Sequence, residues 1–369
     1  MRSTLLFFCC LVSAAAIAQS GGARTLDIYY IDTEGGQSTL FVSPTGESLL
    51  VDTGNPGDRD IARIVEALAA ANVTRIDHLW TTHYHVDHVG VMEQLAKRVP
   101  IQHFYDHGKN VEPREQIAGF SAMYEELSKG KRTTVKPGDK LKMAGLDITT
   151  VASAGQVLTT NLSGGGRANP ACAGVKPKDE SPTDDNGQSA GFVLTYGKFR
   201  TIDLGDLLWN RELDLMCPTN RIGTVDLYLT SHHGLSQSGS PALVHGLTPR
   251  VAIMNNGTRK GGSLDAFQTV HASPGLEDLW QLHWSFNTGL EHNTPGAFIA
   301  NVESNETVAG MLTPQTSAPG TAPARGAGRG PAAPPHVPAF WLKVSATSDG
   351  AFTVTNPRNG FSKAYGPKP

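Results

Sequence analysis

From residue 26 onward the chain alternates short apolar runs with amphipathic stretches. Residues 26–31 (Leu-Asp-Ile-Tyr-Tyr-Ile), 38–42 and 48–51 read as strands, the last two parted by the turn Pro44-Thr45-Gly46-Glu47, so the three predict a β-meander. Residues 58–71 read as a helix: Asp58 stands at the cap position, and Ile61, Ile64, Val65 and Leu68 recur at helical spacing as one apolar face. Residues 76–82 predict the next strand and 87–99 a second helix. Strands alternating with helices predict parallel pairing inside a mixed sheet, an α/β class.

Farther along, the pattern predicts a polar helix around 116–128. It also predicts strands at Gly191–Tyr196 and Phe199–Leu204 joined by a Gly197-Lys198 turn, and further strands at 225–230 and 251–254. Two stretches have no period. Residues 155–188, with Gly164-Gly165-Gly166, read as a long loop, and the Pro/Gly/Ala-rich 311–338 as a disordered insert. Beyond it, 340–345 and 351–355 flank Ser348-Asp349-Gly350 and predict a terminal hairpin. One domain is therefore expected over 25–310, completed after the 311–338 insert by a hairpin within 339–369.

Residues 1–18 have the form of a secretory signal. Arg2 is followed by the apolar run Leu5 to Val12, too short to span a bilayer, and by the small-x-small site Ala16-Ile17-Ala18. The expectation is an exported chain, periplasmic or extracellular, starting near Gln19 with no membrane span. Only Cys172 and Cys217 would remain; they pair or stay free, and spacing does not decide between the two.

Composition adds three points. With 39% apolar and 18% charged residues the chain can bury a large core. A formal charge of −3 and the absence of any Lys/Arg run leave no strong nucleic-acid-binding patch, which argues against a DNA-coating protein but not against a nuclease. Thirteen His against four Cys points to imidazole chemistry.

That chemistry concentrates in Thr82-His83-Tyr84-His85-Val86-Asp87-His88. In an extended stretch alternate residues share a side, so His83 and His85 can hold one cation, while Asp87 and His88 at the following helix start face a second position. The stretch 255–262 (Asn-Asn-Gly-Thr-Arg-Lys-Gly-Gly) is expected to border the cleft, with Asn256 and Lys260 as substrate contacts and Arg259 and Lys260 as the cations that could meet an anionic group.

The His-x-His-x-Asp-His loop resembles the signature of the metallo-β-lactamase superfamily. Leu50-Val51-Asp52-Thr53-Gly54, Leu204-Gly205-Asp206 and Thr230-Ser231-His232-His233-Gly234 follow strands in the order of that family's remaining motifs. The resemblance implies a four-layer αββα sandwich with mixed sheets. It implies two divalent metal ions, zinc with manganese as the alternative, held by His83, His85, Asp87, His88, Asp185, Asp206 and His232. Asp206 would bridge the metals, and Asp52 would orient the His loop from behind. His232, first after its strand, is assigned as ligand. His233 is the alternative and otherwise a catalytic group reaching the substrate; Asp87 is the second catalytic group, taking a proton from water. The third histidine usual in the superfamily is missing, and its place falls at Asp185 or Asn186. Asp32-Thr33-Glu34-Gly35-Gly36-Gln37-Ser38 and the His-His-Gly sequence are similar to the ComEC/Rec2-like branch, hydrolase module only. The implied activity is hydrolysis by a hydroxide generated at the metals, on a phosphodiester or another small molecule. Lactone, amide or ester hydrolysis, or a metal-poor binding protein on the same fold, are the alternatives. Nothing in the sequence fixes the oligomeric state.

Overall fold

The computed structural model describes residues 25–302 and 340–368; the expected signal segment and the 311–338 insert lie outside them. Two nine-stranded sheets face each other. The first contains β1 (Leu26–Ile31), β2 (Thr39–Val42), β3 (Ser48–Val51), β4 (Ile76–Trp80), β5 (Ile101–Asp106) and β6 (Arg132–Thr134), with β18 (Trp341–Ala346), β19 (Phe352–Asn356) and β20 (Phe361–Tyr365) added at the β1 edge. The second contains β7 (Lys140–Met143), β8 (Leu146–Ser153), β9 (Gln156–Val157), β11 (Gly191–Tyr196) and β12 (Phe199–Asp203). It continues through β14 (Leu227–Leu229), β15 (Val251–Met254), β16 (Asp278–His283) and β17 (Ile299–Asn301). A separate two-residue ladder joins β10 (Arg167–Ala168) to β13 (Thr219–Asn220).

Side-chain alternation along each strand builds the layers. In β1, Leu26, Ile28 and Tyr30 enter the core between the sheets, while Tyr29 and Ile31 face helices α1 (Asp58–Ala70), α2 (Val86–Val89), α3 (Met92–Ala96) and α4 (Phe120–Ser128). In β11, Phe192 and Leu194 face the first sheet. Val193 faces α5 (Trp209–Met216), α6 (Pro241–Leu247) and α7 (Leu264–His271). The result is the expected four-layer αββα sandwich with mixed sheets. Trp80 ties the two sheets together: its indole N–H donates to the Ala190 carbonyl at 2.7 Å and its ring meets Phe192 edge-on at 5.1 Å.

Four local expectations change. The helix expected over 87–99 breaks into α2 and α3. Gly90 packs so closely on the loop before α1 that an added Cβ would lie 2.3 Å from Asn55 and Pro56 backbone atoms, and its N–H donates to the Gly54 carbonyl at 2.8 Å. The polar helix starts at Phe120, not 116. The terminal hairpin is a three-stranded meander, because β20 returns along β19. The 155–188 loop is fixed in place by a Cys172–Cys217 disulfide (Cα–Cα 5.9 Å) and by the β10–β13 ladder. The Asn169 amide adds bonds to the Met216 and Ala242 carbonyls. This settles the cysteine alternative in favour of pairing.

Candidate metal centre

The site gathers at the carboxyl ends of the strands, where loops leave β3, β4, β12 and β14 side by side. Asp52, just after β3, is fully buried in a left-handed conformation (φ 59°) and uses both carboxylate oxygens. Oδ1 accepts the Thr82 backbone N–H at 2.8 Å; Oδ2 accepts the Thr82 hydroxyl at 2.6 Å and His88 Nδ1–H at 2.7 Å. The Thr82 hydroxyl, its hydrogen spent on Asp52, accepts from His83 Nδ1 at 3.1 Å. Both imidazoles therefore carry a hydrogen on Nδ1 and turn Nε2 inward, the orientation that metal ligands take. Gly205 lets β12 approach this loop, since a Cβ there would lie 2.6 Å from the Thr82 side chain.

Asp87, His88, Asp206 and His233 converge so that one ligand atom from each lies within 4.8 Å of the others. His88 Nε2 is 3.3 Å from His233 Nε2 and 3.2 Å from Asp206 Oδ2. His233 Nε2 is 3.3 Å from both Asp87 Oδ2 and Asp206 Oδ2, and the His88–Asp87 separation is 3.7 Å. A tetrahedron with metal–ligand bonds of about 2.0 Å has edges of about 3.3 Å, so these four atoms fit one cation. Asp206 Oδ1 and His83 Nε2 are buried without a hydrogen-bond partner, and His83 Nε2 lies 3.9 Å from Asp206 Oδ2.

Electrostatics agree. Against burial, the His232, His233 and His88 imidazoles hold Asp206 well below the usual carboxylate range. Burial, reinforced by His88 and His85, holds His83 well below the ordinary histidine range, so it is neutral as a ligand must be. Against its burial, His88 is pushed well above that range by Asp206, Asp52 and Asp87. The pocket asks for positive charge.

The expected residues fall into three groups. Asp87, His88 and Asp206 meet in the four-residue cluster, His83 lies beside it with Nε2 3.9 Å from Asp206 Oδ2, and Asp52 stands behind them. His233, not His232, takes the ligand-like place. Both residues are left-handed (φ 54° and 56°) in the 231–234 turn, and the reversal swings the second ring toward Asp87 and His88. His232 Nε2 still lies 3.3 Å from Asp206 Oδ2, while its Nδ1 faces Ser238. Asp185 is buried but turned away from the centre: it accepts the N–H groups of Tyr84 (2.8 Å) and Val111 (3.1 Å) and bonds His107 Nε2 at 3.1 Å. Asn256 is fully buried and donates to the Gly257 and His283 carbonyls, so it shapes its loop instead of facing a substrate. Lys260 pairs with Asp87.

Glu112, His107 and His283 carried no sequence signal. His85 Nε2 bonds Glu112 Oε1 at 2.8 Å, and these two form a potential ligand group with Asp184. His107 is buried against Asp185. His283 is buried with its Nε2 2.6 Å from Asp32; against burial, His283 and Arg63 hold Asp32 at about 2. This network supports the 255–262 loop through Thr258, 3.3 Å from His283 Nδ1.

Asp52→Asn should weaken zinc binding about 10–100-fold without loss of the fold, because an amide cannot accept from both Thr82 and His88 as the carboxylate does. Calorimetric titration checks this; an unchanged affinity would remove Asp52 from the support of the site.

Known proteins share this region. The family model of the metallo-beta-lactamase superfamily matches residues 32–157, from just after β1 through the His loop to the end of β9, and this stretch is similar to that superfamily. A coenzyme F420H(2) oxidase of Methanothermobacter marburgensis is 30% identical over 102 residues, 27% of this chain and 24% of the oxidase, so the match spans about a quarter of that relative. Among solved structures, the metallo-beta-lactamase fold protein YhfI from Bacillus subtilis aligns at 13% identity with a TM-score of 0.43, covering 69% of this chain and 96% of that one. CmlA, a diiron beta-hydroxylase from Streptomyces venezuelae, aligns at 14% identity with a TM-score of 0.38, covering 68% and 47%.

Proposed function

We propose, with the superfamily match as premise, that this chain is an exported metal-dependent hydrolase of the ComEC/Rec2-like kind acting on a phosphodiester. The observation that carries the metal reading is the tetrahedral convergence of Asp87, His88, Asp206 and His233. The unpartnered His83 Nε2 and Asp206 Oδ1 beside it support a second position. Asp206 would reach both cations, with His83 and His85 on one side and Asp87, His88 and His233 on the other. When bound, two divalent cations supply Lewis acidity and bring the pKa of a water toward 7.

The protein's own groups do the rest. Asp52 and Thr82 fix the two ring tautomers. The Asp87 carboxylate, beside His233 and Lys260, would take a proton from water. Lys260, with a side chain 40% exposed, sets an ammonium at the rim where an anionic substrate would arrive. His232, outside the four-residue cluster and 3.3 Å from Asp206 Oδ2, would reach substrate beside it. The disulfide supports export, since such bonds persist in oxidising compartments.

The test is to reconstitute the purified chain with Zn²⁺ or Mn²⁺ and measure bound metal. Bis-p-nitrophenyl phosphate, nitrocefin and a lactone are then assayed side by side. Two metals per chain and turnover of the phosphodiester are expected. Turnover confined to nitrocefin or the lactone would replace the substrate class, and fewer than one metal per chain would overturn the metal reading.

A further inference from the structure

We infer that the first cation position is completed by two carboxylates, Glu112 and Asp184, and that Asp185 positions the His loop without ligating. The inference rests on the metal reading above and concerns which residues of this chain close that position.

Four observations converge. His83 Nε2 and Asp206 Oδ1, both buried, have no hydrogen-bond partner, and His83 Nε2 lies 3.9 Å from the other oxygen of Asp206. The His85 ring lies 4.6 Å from that of His83. His85 Nε2 is 2.8 Å from Glu112 Oε1, and a ligand atom of Asp184 lies within 4.8 Å of both. Two ligands on an octahedral cation with bonds of about 2.0–2.1 Å stand about 2.9 Å apart, so the His85–Glu112 spacing matches one edge of such a site.

Asp185 is engaged elsewhere. Its two oxygens take two backbone N–H groups and the His107 imidazole, one of the N–H groups belonging to Tyr84 between the two histidines. That arrangement clamps the 83–85 segment in its extended shape from behind. Asp184 instead caps the following turn through one oxygen, which accepts the Asn186 N–H at 3.0 Å, and keeps the other available. Glu112 and Asp184 arrive from different loops, one after β5 and the other before β11.

The donor set decides the preference. Two imidazoles with carboxylates from Glu112, Asp184 and Asp206 make a hard, oxygen-rich position, which favours manganese or iron(II) over zinc compared with a three-histidine position.

The experiment measures metal stoichiometry and affinity in the full chain by elemental analysis and calorimetry with Mn²⁺ and Zn²⁺. The proteins are the wild type, Glu112→Gln combined with Asp184→Asn, Asp185→Asn, and Glu112→His. Both target side chains are half-buried, and thermal melts check folding. The wild type should bind two Mn²⁺. The Glu112→Gln/Asp184→Asn variant should bind one, with the other site weakened at least about 100-fold. Asp185→Asn should still bind two, and Glu112→His should bind two with its preference moved toward Zn²⁺. A double variant that binds two Mn²⁺ with wild-type affinity overturns the inference and leaves the proposed function standing, as does an Asp185→Asn variant that loses one metal while the double variant keeps both. Fewer than one metal in the wild type overturns both.

Discussion

Asp206→Ala should leave a folded chain that retains less than one metal and loses on the order of 10³-fold or more in turnover of bis-p-nitrophenyl phosphate. The reason is geometric. Oδ2 lies 3.2 Å from His88 Nε2 and 3.3 Å from both His232 and His233, while the buried Oδ1 is free for the neighbouring position. One substitution would therefore remove an anionic ligand from both proposed cation positions and leave Asp87 as the remaining carboxylate of the four-residue cluster. Losing about 4 kcal/mol of transition-state stabilisation corresponds to a factor of about 10³. Elemental analysis and the steady-state rate check the two halves separately. A variant with two metals and wild-type turnover would show that Asp206 is not the bridge.

Replacing Cys172 and Cys217 together by Ser should lower the unfolding free energy by about 3–4 kcal/mol. The bond joins residues 45 positions apart, and closing a loop of that length restricts the unfolded chain by about 4 kcal/mol in the chain-entropy treatment. It also anchors the 155–188 segment to the end of α5, beside the Asn169 amide that bridges Met216 and Ala242. Urea titration with and without reductant measures the effect: reduced wild type should match the double variant, and both should keep the Asp87–His88–Asp206–His233 cluster able to bind metal. A midpoint unchanged by reduction would show that the ladder and the amide bonds hold the segment alone.

The part of the site that the sequence revealed is the part built from neighbours in the chain. His83, Asp87 and His88 are set by the period of an extended loop running into a helix, and Asp52 and Asp206 follow strands whose apolar patterns are plain. The rest depends on long-range geometry. The choice between His232 and His233 turns on two consecutive left-handed residues that no periodicity encodes. Glu112 and Asp184 belong to aperiodic loops more than seventy residues apart, and only the fold brings them to His85. Asp185 resembles a ligand by position and becomes a clamp because two backbone N–H groups and His107 reach it first. His283 and Asp32 meet across the two sheets with 251 positions between them. The break at Gly90 comes from the approach of another backbone, which an apolar pattern along one segment does not register. The layered fold was more legible than the site, because strand alternation and helix periodicity are local and repeat many times over.

The pairing of β1 with β18 has a consequence for how the protein is made. Ile31 lies opposite Trp341 and Leu26 opposite Ala346, so the first strand of the sheet that carries the His loop finds its edge partner more than three hundred residues later. A chain emerging from the ribosome has β1 to β6 in hand long before β18 exists, and through that interval the ladder edge of β1 stands open. Contacts of such sequence separation slow folding, and an exposed strand edge invites association with other chains. Delivery across a membrane before folding would suit this order of synthesis, since the sheet could then close in one event with both partners present.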